Sequence, residues 1–191
     1  APQGALVVGG FMALQGLWAV PWLMEVNQTS RAAAAEVLLA MAVAQLGGFL
    51  LVAVGSGWLA QRGLSPMRLL TAGMGLALVV EVGILMQWAA PVLLWPLLGL
   101  SFSLGNIAYS QLTAAFAVNL AGRVNTALNL AVFVGAFGLQ WGIGAWVDTL
   151  TAYGLARVAA FEATLLALLV LQTLAFVWFL VPAHNPSAQT R

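Results

Sequence analysis

The 191 residues are 63% hydrophobic and only 6% charged, with a mean hydropathy of +1.01 and a formal net charge of +1. Soluble domains carry about 25% charged residues, so this chain is predicted to be an integral membrane protein rather than a soluble one. Its small net charge excludes an electrostatic nucleic-acid binder, and its lack of cysteine excludes a disulfide framework.

Six apolar segments follow one another, each near or above the roughly 20 residues that cross a bilayer core. They span approximately residues 4–24, 31–61, 66–88, 91–118, 122–148 and 152–181. Backbone groups in lipid need internal partners, which leaves helices or a closed barrel. Barrel strands alternate strictly over about ten residues, and these segments do not. We therefore predict an all-α membrane protein, with one six-helix domain over 1–191 that includes a tail at 182–191.

Serines, prolines and a glycine mark the expected helix ends. Ser30 is the predicted N-cap of the second segment, and Ser65 with Pro66 forms an N-cap and first-turn pair for the third. Gly63 closes the second segment, and Pro182 ends the sixth. The first apolar segment is too long for a signal-peptide core. We expect the chain to be part of a longer protein or a processed product.

An even number of crossings puts both chain ends on one side of the membrane. The charged residues expected on that side are Arg62, Arg68, Arg123 and Arg191. The opposite side receives two arginines and four acids: Arg31, Arg157, Glu25, Glu36, Asp148 and Glu162. Because basic loops favour the cytoplasm, both termini are predicted to be cytoplasmic.

Polar side chains recur at helical spacing on the first, second, fourth and fifth segments. The clearest stripe is on the fifth, where Asn125, Asn129, Ala136 and Gln140 share one face. The third and sixth segments are nearly featureless, so we expect four helices around a polar cavity and two behind them. The residues predicted to line the cavity are Gln15, Trp18, Trp22, Gln45, Asn106, Ser110, Asn129 and Gln140.

The same stripes have a second interpretation. Amides and hydroxyls of membrane helices often bond a neighbouring helix, with an average contribution of about 0.6 kcal/mol. Under that interpretation the domain is a non-transporting scaffold or assembly partner. Glu81, halfway along the third segment, also has two interpretations. It is either a functional group such as a proton-coupling site, or a neutral, snorkelling or externally paired side chain.

A rhomboid-type serine protease is the enzyme alternative, because Ser56 lies between two glycines. A serine nucleophile needs a base within hydrogen-bond reach, and the sole histidine, His184, lies in the tail rather than on the last helix. One histidine and no cysteine cannot build a conventional metal site. We therefore expect no enzymatic activity, no metal and no cofactor.

Two loops carry a resemblance to a known family. Residues 57–62, Gly-Trp-Leu-Ala-Gln-Arg, are similar to the loop motif G-x-L-x-D-R-x-G-R-R of major facilitator superfamily transporters. Gln61 stands where that motif has aspartate, and the trailing Gly-Arg-Arg is missing. Ala121-Gly122-Arg123 and the glycine-rich segment after it resemble the start and course of the family's helix eleven. Residues 16–23, GLWAVPWL, resemble helix seven of bacterial members.

The resemblance implies the C-terminal six-helix half of a bacterial inner-membrane transporter, built as a 3+3 inverted repeat. It implies that segments three and six lie behind the other four, and that Arg62 and Arg123 act as cytoplasmic gating or orientation residues. The expected function is secondary active transport of a small polar solute by alternating access. The implied partners are the lipid bilayer, a missing N-terminal half, and a proton or sodium ion. The isolated half is expected to self-associate without transporting.

Overall fold

The computed structural model describes residues 4–114 and 116–181 of the chain. Within them every regular element is helical, and six helices are long and apolar enough to cross a membrane. These six helices correspond to the six predicted segments, which confirms the prediction of an all-helical chain with six potential spans. The predicted tail, with Pro182, His184 and Arg191, lies outside the described residues.

The first helix, α1, is continuous over residues 4–25 but changes its winding three times. Two π-helical turns, Gly4–Val8 and Leu14–Trp18, alternate with the α-helical stretches Gly9–Ala13 and Ala19–Glu25. π-Helical turns are rare, and they are frequent at functional sites. The sequence pattern predicted a helix here, but it contains no signal for the wider turns.

The next two helices begin where their capping residues predicted. Helix α2 is Arg31–Gln61 and helix α3 is Pro66–Leu85. The Ser30 hydroxyl accepts a hydrogen bond from the backbone N–H of Ala33 at 3.1 Å, and Ser65 caps α3 in the same way. Helix α3 ends three residues before the predicted position because Gln87 has φ +53° and the Trp88 N–H bonds back to the Gly83 carbonyl.

The fourth helix, α4, is interrupted. It runs over Pro91–Ser103, passes through a 3₁₀ turn at Leu104–Asn106 and continues over Ile107–Ala114. Pro96 lies inside its first part, where it removes a backbone donor. The prediction extended this helix to residue 118, but residues 118–120 form a separate 3₁₀ turn that leads into the next helix.

Helix α5 is Ala121–Ala152 and helix α6 is Arg157–Leu180. The predicted start of the sixth helix at residue 152 was wrong by five residues. Helix α5 instead continues to Ala152 and closes with Gly154 at φ +95°, a conformation that favours glycine. The Leu155 N–H bonds back to the Leu150 carbonyl, which completes this helix end.

The most extensive helix contacts are between α2 and α4 and between α1 and α5. Glycines allow the backbones to approach in both pairs. A Cβ added to Gly99 of α4 would lie 2.7 Å from the Met41 carbonyl oxygen of α2. A Cβ added to Gly9 of α1 would lie 2.8 Å from the Ala136 nitrogen of α5. Such close approach through small residues is typical of helix packing in membranes.

Helix α3 packs against α4 and α6 and is the most buried of the six spans, whereas α2 and α5 are the most exposed. The location of α3 behind the four polar helices stays a prediction. Its sequence could not show how far α3 is buried, because lipid tails and neighbouring helices favour the same apolar side chains. The main core includes Phe11, Leu23, Trp95 and Leu98.

Candidate functional site

Helices α1 and α2 are joined by two of the predicted glutamines. Gln15 Nε2 donates to Gln45 Oε1 at 3.1 Å, and both side chains are half-buried. Gln15 belongs to the π-helical turn Leu14–Trp18. The two amides therefore lie at the edge of the bundle, with part of their surface accessible.

Helices α1 and α5 are joined by Trp18. Its indole Nε1 donates to the backbone carbonyl of Gln140 at 2.9 Å. The ring fits over Gly144, whose absent side chain would come 3.0 Å from Trp18 Cζ2, and it packs at a tilt against Phe161 of α6. Trp18 is thus a packing anchor as well as a polar residue. The Gln140 amide reaches Gly16 of α1, where an added Cβ would lie 3.2 Å from Nε2.

Helices α4 and α5 are joined by two further hydrogen bonds near their connecting loop. The Tyr109 hydroxyl donates to Asn129 Oδ1 at 2.7 Å, and the Thr113 hydroxyl lies 2.9 Å from Asn125 Oδ1. We call the four contacts Gln15–Gln45, Trp18–Gln140, Tyr109–Asn129 and Thr113–Asn125 the polar seam. With the α2–α4 packing, the seam links α1, α2, α4 and α5 in a closed sequence of neighbours.

The predicted stripe on α5 does lie along one side of that helix. Its first two members, Asn125 and Asn129, meet α4, and its last two, Ala136 and Gln140, meet α1. The stripe therefore follows the junctions of α5 with both of its seam neighbours. Asn129 remains exposed and Gln140 half-buried, so these amides are not sealed inside the bundle.

Sequence reasoning missed Tyr109. This residue precedes Ser110, so it falls off the polar stripe of the fourth segment, yet it bonds Asn129. The available signal was its spacing of four residues from Thr113, which puts both side chains on one helix face. In the structure the single Thr113 hydroxyl proton is shared between the Tyr109 carbonyl oxygen at 2.7 Å and Asn125 Oδ1 at 2.9 Å.

Trp22 differs from the other residues that were predicted to line the polar cavity. Its side chain is only 3% exposed and belongs to the core, in a small cavity shared with Trp18, Trp95 and Phe161. Its indole Nε1 is buried without a hydrogen-bond partner among the described atoms. Trp18 and Trp22 share a face, as their spacing predicts, and both line this cavity, but that face packs against the apolar core.

Ser110 is exposed, and its hydroxyl donates to the Ile107 carbonyl oxygen of its own helix at 2.9 Å. It lines a groove of about 320 Å³ between α2, α3 and α4, and Ser56 and Gln111 contribute further polar groups. The Asn106 backbone belongs to the 3₁₀ turn of α4, while its side chain lies outside the described part of the structure.

The two arginines of the predicted cytoplasmic loops are exposed. Arg62 directly follows α2, and its guanidinium carbon lies 3.8 Å from the centre of the Trp58 ring, a cation–π contact. Arg123 lies in the first turn of α5. On the opposite side, Arg157 Nε lies 3.4 Å from Glu25 Oε1, and both side chains are about half exposed.

The side chain of Glu81, on α3, is buried against α6. Gln172 Nε2 donates to Glu81 Oε1 at 3.4 Å, and the two side chains are 4% and 1% exposed. No group of three or more histidine, cysteine or acidic side chains that could hold a metal ion occurs within residues 4–114 and 116–181. The polar groups of the bundle are thus chiefly amides, hydroxyls and indoles, which bind solutes through hydrogen bonds and stacking.

No family model, curated protein or solved structure matches this chain.

Proposed function

We propose that this chain is the C-terminal half of a secondary active transporter, of the major facilitator type, that moves a small polar solute by alternating access. The observation that carries the proposal is the polar seam. It links α1, α2, α4 and α5 through amides that stay half-buried or exposed, whereas α3 and α6 meet through one buried pair. Solute sites at the centre of transporters combine accessible polar groups with helices of irregular winding, and the seam has both.

An inverted repeat would exchange α1 with α4, α2 with α5 and α3 with α6, and three features of the bundle agree with it. The α2–α4 contact has α1–α5 as its counterpart, and glycine allows close approach in both. The α1–α2 hydrogen bond has its counterpart in the two α4–α5 bonds. The two helices that contain non-α turns are also counterparts, α1 with its π-helical turns and α4 with its 3₁₀ turn.

The remaining half of the transporter would dock on the exposed side of the seam. Helices α2 and α5 are the longest of the bundle and the least buried. Alternating access requires two bundles that move relative to each other, so this half alone should not transport. The same exposed side is where the isolated half would self-associate.

A non-transporting scaffold is the second candidate. The seam amides Gln15, Gln45 and Asn129 already have partners within the bundle, which favours a role as interhelical hydrogen bonds. Under this alternative, solute would never contact them, and their replacement would affect stability alone.

Uptake into proteoliposomes by the full-length parent protein separates the two candidates. We expect Asn129→Leu and Gln140→Leu each to raise the KM for solute or abolish uptake, because each removes an accessible amide. Asn119→Leu, in the exposed turn before α5, is the control and should transport normally. Unchanged uptake by properly folded Asn129→Leu and Gln140→Leu variants would remove these residues from the solute site and favour the scaffold.

A further inference from the structure

The contact between Glu81 and Gln172 leaves two oxygen atoms without partners. Gln172 Nε2 donates to Glu81 Oε1, but Glu81 Oε2 and Gln172 Oε1 are buried and accept no hydrogen bond in the described structure. Both orphan atoms are acceptors when the carboxyl group is ionised, so neither can satisfy the other. A buried polar atom left unpaired destabilises the fold, and more so when its group is charged.

A single proton would give both of these oxygen atoms a hydrogen bond. A carboxylic acid O–H on Glu81 Oε2 can donate to Gln172 Oε1 while the Gln172 amide donates to Glu81 Oε1. The two hydrogen bonds then close a ring in which each group is donor and acceptor once. A neutral pair also avoids the cost of a charge in the apolar interior of the bundle.

Groups on the neighbouring helices do not supply a counter-ion within the described residues. The titratable or charged side chains of the elements around α3 are Glu25 of α1, Tyr109 of α4, and Arg157 and Glu162 of α6. Arg157 pairs with Glu25, and Tyr109 bonds Asn129. Glu162 precedes Gln172 by ten residues, a rise of about 15 Å along the helix.

The pair also touches the irregular helix α1. A Cβ added to Gly10 would lie 2.7 Å from Gln172 Nε2, so the amide rests against α1 at the α-helical stretch between the two π-helical turns. Gln172 therefore contacts α3 through its hydrogen bond and α1 through close packing. Gln172 thus lies against the helix that carries Gln15 and Trp18.

We propose that Glu81 and Gln172 form a proton-binding site at the junction of α1, α3 and α6, and that its occupancy is coupled to the position of α1. When the proton leaves, the O–H bond breaks, its electron pair stays on Glu81 Oε2, and a water molecule accepts the proton. The resulting carboxylate repels the Gln172 carbonyl oxygen and opens the ring. Coupling of this step to solute movement rests on the proposed transporter function; the proton site itself does not.

Infrared difference spectroscopy of the protein in lipid bilayers tests the site directly. At neutral pH we expect a protonated-carboxyl C=O band that shifts on deuteration and disappears in Glu81→Gln. That variant forms an amide–amide pair of nearly the same shape, so it should fold. Gln172→Leu should keep the band at a higher wavenumber, because the acid loses its hydrogen-bonded partner. Glu162→Gln, a control on α6, should leave it unchanged.

Absence of the band, or its persistence in Glu81→Gln, would overturn the proton site. A carboxylate band at neutral pH that responds to sodium, with no protonated-carboxyl band with or without sodium, would identify sodium as the ligand and also refute the proposal. In the full-length parent, Glu81→Gln should lose accumulation driven by a proton gradient but retain solute exchange. Accumulation by this variant equal to wild type would refute coupling at Glu81. A parent that neither accumulates nor exchanges solute would refute the transporter function and with it the coupling, while the spectra still decide the site.

Discussion

The polar seam and the α3–α6 contact use polar side chains in opposite ways. Seam residues such as Gln15, Gln45 and Asn129 are bonded to neighbours but keep part of their surface accessible. Glu81 and Gln172 form one contact, and both are almost fully buried. An accessible amide can exchange its partner for water or solute, whereas a buried one leaves an unpaired group. Removing one partner should therefore cost little stability at the seam and more at the buried pair.

Gln172→Leu should have the largest effect, because it strips the buried Glu81 carboxyl group of its hydrogen-bonded partner. We expect a loss of about 3 kcal/mol of stability, at the upper end for an unsatisfied buried group. Reversible unfolding in mixed micelles measures this free energy. Thr173→Val is the matched control, since Thr173 is exposed and its hydroxyl bonds only the Leu169 carbonyl of its own turn. If the two variants lose the same free energy of unfolding, the larger effect expected for a buried partner is wrong.

Gly9→Ala tests whether the α1–α5 edge of the seam is held by close backbone approach. The added methyl group would lie 2.8 Å from the Ala136 nitrogen, so the helices must separate. We expect a loss of about 2 kcal/mol, within the range for overpacking. Gly138 lies on α5, two residues after Ala136, and has open space around it, so Gly138→Ala should be neutral or slightly stabilising. If Gly138→Ala costs as much as Gly9→Ala, this packing is incorrect.

The Gln15–Gln45 bond should show the smallest effect. A double-mutant cycle with Gln15→Leu and Gln45→Leu should give a coupling energy of about 0.6 kcal/mol, as for other interhelical hydrogen bonds in membranes. Thermal or denaturant unfolding of the four proteins in the same micelles supplies the cycle. A coupling energy as large as the loss in Gln172→Leu would erase the distinction between the seam and the buried pair.

Several features of the fold follow from the sequence because their causes are local. Ser30, Ser65 and Pro66 set the starts of α2 and α3 through hydrogen bonds and backbone geometry within one turn. The stripe on α5 follows from helical periodicity, which fixes that Asn125 and Asn129 share a side. The end of α5 at Ala152 was missed, because a glycine with positive φ two residues later closes the helix and the apolar pattern gives no boundary there.

Composition and helical periodicity by themselves indicated that this chain is helical, that six helices are long and apolar enough to cross a membrane, and which of them carry amides. Only the tertiary structure decided where those groups go. It turned Trp22 inward, brought Tyr109 to Asn129 and placed Gln172 against Glu81 across 91 positions of sequence. The physical reason is that lipid and neighbouring helices are equally apolar. The sequence of such a helix shows which residues share a face, but not which neighbour that face contacts.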